Sequence, residues 1–157
     1  MARARSLPSV LAVAPLLLLG CGERPSGDAT SGTPATQQPA RHTLAVPEPR
    51  AVTTRDGALV VEWQPVDGAI PVNEHFEVDV RVRRAERGAP VPDAEVSMTC
   101  FMPAHGHGML REPRTEARGD GTYRIRGFLL HMGGDWSISI TVAIDGLAST
   151  ADDAITL

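Results

Sequence analysis

Between Glu74 and Arg84 the chain alternates without a break. Phe76, Val78, Val80 and Val82 fall on one side, and Glu77, Asp79, Arg81 and Arg83 on the other. A period of two belongs to a strand with one face in the core and one in water, and a slip of one residue would expose every valine. Ala94–Met102 repeats the pattern with Val96, Met98, Cys100 and Met102 inward. Trp136–Ile144 does so with Trp136, Ile138, Ile140, Val142 and Ile144 inward. With Ala58–Trp63, Arg114–Arg118, Thr122–Leu130 (interrupted at Gly127) and Leu147–Leu157, there are about seven short strands. Turn signals separate them: Gly88, Pro90 and Pro92 within Arg87–Asp93, then Gly119-Asp120-Gly121, Gly133-Gly134 and Asp145-Gly146. No stretch carries a helical period of useful length. The expectation for residues 51–157 is an all-β domain, an immunoglobulin-like antiparallel β-sandwich.

The residues ahead of it differ in kind. Arg3 and Arg5 precede an apolar run, Leu7–Leu19, broken by Pro8 and Pro15. A membrane span needs roughly 20 apolar residues, so this run predicts a secretory signal peptide over residues 1–20. It ends in Leu18-Leu19-Gly20-Cys21, which resembles the bacterial lipobox. That resemblance implies cleavage before Cys21, lipidation of its thiol, and a protein held on the extracytoplasmic side of a membrane. Gly22, rather than an aspartate, follows the cysteine; in a Gram-negative cell this implies the outer membrane. Gly22–Pro49 is rich in Gly, Ser, Thr, Pro, Ala and Gln and holds almost no large apolar residue before Leu44. Residues 21–50 therefore read as a lipidated cysteine and a flexible linker, with a reach of about 25–30 Å. With Cys21 consumed, Cys100 is the remaining thiol, and no internal disulfide is available.

Composition removes several function classes. The formal net charge of −4 and the scatter of its charges give no basic patch for nucleic acid. Every basic residue is arginine, so Schiff-base lysines and the phosphate-binding P-loop are excluded. No G-x-S-x-G or H-E-x-x-H occurs. Asp152-Asp153 reads as a solvated turn. The chain is expected to be a binding protein, not an enzyme.

Chemistry concentrates in two loops. One reads Met102-Pro103-Ala104-His105-Gly106-His107-Gly108-Met109, the other His131-Met132-Gly133-Gly134. If successive strands run up and down, both loops sit at one end of the sandwich, and His75 opens a strand at that end. His105 and His107, two apart in an extended segment, would point the same way. Imidazole with thioether suits copper, Cu(I) above all, because a soft sulfur favours a soft ion over zinc or magnesium. The candidate ligands are His75, His105, His107, Met109, His131 and Met132. The alternative is that these Gly/His loops are structural: each imidazole fixes a turn, Met98, Met102 and Met132 fill the core, and the pole serves as a non-metal interaction module of the cell envelope. A third reading, Cys100-x4-His105-x3-Met109 as a blue-copper loop, is opposed by the inward parity of Cys100 and by the several strands that follow it.

Four blocks in order carry a resemblance: Val91-Pro92-Asp93-Ala94-x-Val96, Met102-Pro103-x-His105-Gly106-His107-Gly108-Met109, Gly119-Asp120-Gly121-x-Tyr123 and Leu130-His131-Met132-Gly133-Gly134-x-Trp136. Together they span roughly Val72–Asp145 and resemble the YtkA-like domain family of exported, often lipid-anchored bacterial domains. The resemblance implies an immunoglobulin-like fold and a relation to accessory proteins of the FixH type. By that relation it implies copper delivery to a copper-requiring envelope or respiratory protein, with His105, His107, Met109, His131 and Met132 as the residues concerned.

Overall fold

The computed structural model describes residues 42–157, and among them no helix is present. In chain order the strands are β1 (Thr43–Ala45), β2 (Arg50–Thr53), β3 (Leu59–Pro65), β4 (Ala69–Pro71), β5 (His75–Arg84), β6 (Glu95–Met102), β7 (His107–Gly108), β8 (Arg114–Gly119), β9 (Thr122–Leu129), β10 (Asp135–Ile144) and β11 (Leu147–Thr156). One sheet has the order β11-β10-β6-β7 and the other β2-β3-β5-β9-β8, with β1 and β4 paired separately. All pairings between strands are antiparallel.

Alternation builds the core as expected. Val78, Val80 and Val82 of β5, with Tyr123, Ile125 and Phe128 of β9, meet Met98, Cys100, Met102, Ile138, Ile140 and Val142 from the facing sheet in one buried cluster. Each large apolar side chain so covered contributes about 1.5–3 kcal/mol. The interruption at Gly127 is a bulge: Phe76 pairs with Phe128 but Glu77 with Arg126, so the glycine is passed over. The extra residue lets Ile125 and Phe128, three apart, both face inward. Asp145 and Gly146, with φ of 50° and 80°, form the two-residue hairpin between β10 and β11.

The seven expected strands correspond to β3, β5, β6, β8, β9, β10 and β11; the four further strands are each two to four residues long, too short to show a period. Two of them correct the N-terminal boundary. β1 pairs Leu44 with Ile70 of β4, and Val46 is buried. The folded body thus begins ahead of residue 51, because the first large apolar residues after the linker find cover in it. The expected signal peptide, Cys21 and residues 22–41 of the expected linker lie outside the described residues.

Asp152 and Asp153 also depart from expectation, since both lie within β11. Asp153 accepts from Arg50 at 2.7 and 2.6 Å and from the Trp63 indole at 2.9 Å. Arg55 binds Asp152. These pairs clip β2 to β11 and close one side of the sandwich. As neighbours in a strand they take opposite faces: Asp153 has the inward parity of Ala151 and Ile155 and is half-buried, and Asp152 lies on the exposed face.

Candidate metal centre

β6 ends at Met102, whose carbonyl accepts from the backbone N–H groups of His105 and Gly106 at 3.2 and 2.9 Å. The chain turns tightly there, with Gly106 at φ 68°, and folds back as β7, pairing Met102 with His107 and Phe101 with Gly108. Partners in an antiparallel pair project to the same face. His107 therefore shares the inner face with Met102, while His105 stays exposed in the turn. The expectation that residues 105–107 are extended fails because Gly106 is the turn; the two rings nonetheless lie 5.8 Å apart.

The second loop follows β9. It is tied to the C-terminus by reciprocal backbone bonds between Gly134 and Leu157, each 3.0 Å, and by the Trp136 indole donating to the Met132 carbonyl at 3.1 Å. These bonds hold His131 over the end of the core. Its ring centroid is 5.0 Å from that of His107 and 5.9 Å from Trp136. Both histidine loops thus occupy one pole, as the up–down order of strands requires. Two imidazoles on one ion, with metal–nitrogen distances of about 2.0–2.1 Å, place their centroids roughly 5–6 Å apart.

Hydrogen bonding separates the histidines. Nδ1 of His75 lies 3.3 Å from the Phe128 carbonyl. Nδ1 of His107 lies 3.3 Å from the Gly108 carbonyl, leaving Nε2 for another partner. Nδ1 of His131 is buried and has no hydrogen-bond partner among the described residues. A buried polar nitrogen left unpaired is costly and uncommon in a folded protein.

The remaining candidates fall unequally. His75 is at the same end, but it lies on the outer face of its strand, opposite in parity to Phe76. With Met109, Leu110 and Arg111 it lines a cavity of about 200 Å³, apart from the His107–His131 contact. Met109 and Met132 are half-buried and pack against the core. Among the described residues no group of three or more His, Cys, Asp or Glu side chains is gathered to hold a metal ion. The imidazoles alone do not make a complete site. Cys100 is buried, and burial pushes its thiol up to about 12. A blue-copper site requires the thiolate, so this burial opposes that reading.

Sequence reasoning missed two neighbours. Trp136 was read as core, yet its ring meets both His107 and His131 edge-on. Met102 was also read as core, although its register with His107 brings it to the same pole. The tight return of β7 was the missing link, and a two-residue strand leaves no period to read.

Fold and pole together define an immunoglobulin-like β-sandwich carrying two histidine-bearing loops at one end. The chain belongs to the YtkA-like family, whose pattern it matches over residues 58–141, a stretch that includes both loops. Among solved structures, the crystal structure of a DUF4426 family protein from Pseudomonas aeruginosa PAO1 is similar, with a TM-score of 0.50 and 18% identity over 69% of this chain and 96% of that one. At that identity the likeness is one of fold. No curated protein matches the chain.

Proposed function

We propose that the domain binds copper, as Cu(I) in preference, at the pole formed by His107 and His131, with His105 beside them and thioether sulfur completing the donor set. The observation that carries this reading is the buried, unpartnered Nδ1 of His131 next to a second imidazole. A purely structural imidazole would have its buried nitrogen met by a carbonyl, as Nδ1 of His75 is by Phe128 and Nδ1 of His107 by Gly108. A bound ion would instead take up the nitrogen that is left over. Met109 and Met132 are half-buried against the same core, and thioether sulfur would favour a soft ion.

The role proposed is binding and transfer rather than catalysis. Lipidation at Cys21 would hold the domain on the extracytoplasmic face of a membrane, the outer membrane in a Gram-negative cell. There it would pass copper to a copper-requiring envelope or respiratory protein. The test is competition with a chromogenic Cu(I) chelator, with Zn(II) in parallel. One equivalent of Cu(I) retained, and Zn(II) held far more weakly, supports the reading. No Cu(I) retained against a weak chelator overturns it in favour of a metal-free interaction module.

A further inference from the structure

On the inner face of the β11-β10-β6-β7 sheet, β7, β6 and β10 lie side by side at the histidine pole. One row crosses them. His107 is the register partner of Met102. On the other side Phe101 pairs with Ser137, so the next level up sets Met102 beside Trp136. Met102 is therefore the middle member of a row whose outer members are His107 and Trp136, and both of these rings touch or approach His131.

The far end of Met102 reaches the second loop. A Cβ placed on Gly134 would lie 2.8 Å from the Met102 ε-methyl, and Gly134 also has φ 128°, a conformation that disfavours any side chain. The glycine leaves a cradle that the methionine tip fills. The thioether thus extends from the strand that carries His107 to the loop that carries His131. Met102 is 1% exposed.

We propose that the sulfur of Met102 is the soft donor that joins His107 and His131 on the ion and makes the pole selective for Cu(I). The inference rests on the copper reading above and adds to it the residue that decides metal preference. Two imidazoles alone suit zinc as well as copper, whereas a thioether rewards only the softer ion. A core-filling Met102 would make the same packing contacts but would never bond the metal.

The test uses the full chain with ¹³C-labelled methionine ε-methyl groups and Ag(I), a redox-inert ion with the softness of Cu(I). A through-bond ¹H–¹⁰⁹Ag correlation to the Met102 methyl, identified by its proximity to the Gly134 α-protons, is the expected result. Met102→Leu conserves volume and is expected to keep the fold. It should weaken Ag(I) binding by at least about tenfold and change Zn(II) binding by less than about twofold. Silver correlations to Met109 or Met132 without Met102, or an unchanged Ag(I) affinity in Met102→Leu, would overturn the proposal while leaving the copper reading intact. Failure of the wild-type chain to bind Ag(I) at all would overturn both. Should the variant not fold, the correlation in the wild-type chain decides the matter by itself.

Discussion

His107 and His131 meet with ring centroids 5.0 Å apart and planes inclined by 35°, although one leaves the turn after β6 and the other the loop after β9. The two strands belong to opposite sheets, so the contact joins the sheets at the pole where the core ends. Trp136 meets both rings edge-on, with centroids 6.2 Å from His107 and 5.9 Å from His131.

The closed side of the sandwich depends on Asp153 more than on Asp152. The Asp153 side chain is 10% exposed and serves both Arg50 and the Trp63 indole, whereas that of Asp152 is 42% exposed. Asp153→Ala leaves a buried indole N–H unpaired and is expected to cost about 1–3 kcal/mol. Asp152→Ala is expected to cost about 0–1 kcal/mol. Equilibrium denaturation of both variants checks the order, and equal losses would contradict it.

A chain beginning at His42 is expected to melt as the full chain does. One beginning at Ala51 loses Val46 from the core, worth about 1.5–3 kcal/mol, the β1–β4 pairing, and Arg50, which stacks on Trp63 at 5.7 Å. Its melting temperature should fall by at least about 5 °C. Identical melting curves would restore the boundary at residue 51.

Acid should act through Asp56. Hydrogen bonds from the hydroxyls of Ser149 and Thr54 and the N–H of Ala58 hold its carboxyl at about 2, below the ordinary 3.8. The folded value is the lower one, so the stabilisation is complete above the unfolded value and is lost as pH falls through the folded one. The stability difference between the wild-type protein and Asp56→Asn should be constant above pH about 5 and close between about 4 and about 2. A difference that grows over that interval would contradict the assignment.

Cys100 should be inert. With its thiol pushed up to about 12 by burial, the native protein is expected to react with a thiol reagent at pH about 8 far more slowly than the unfolded chain. Cu(II) should give no intense blue colour. Fast native labelling together with such a colour would promote the blue-copper alternative.

How much of this was legible in sequence follows from periodicity. β5, β6 and β10 alternate over eight to ten residues, and their faces, the bulge at Gly127 and the Asp145-Gly146 hairpin were all readable. The common pole of the two loops was readable too, because strand direction alone sets it. What was not readable has no period. β7 is two residues long, so the fold-back that turns His107 inward and leaves His105 outside gave no signal. Leu44 and Val46 are too few to mark a strand, and they were absorbed into the linker. His75 was placed at the correct end but on the wrong face for the shared contact, although its parity against Phe76 held that information. Met102 alternates as a core residue should, and alternation cannot distinguish a core sulfur from one that faces a site.

The most direct test of the shared site is a double-mutant cycle on Cu(I) affinity with His107→Ala and His131→Ala. Each single change should weaken binding with little effect on the melting temperature. The double change should cost less than the sum of the two, because either one already removes part of the same coordination sphere. Losses that add in full, or no loss from His131→Ala, would contradict the claim that the two imidazoles hold one ion.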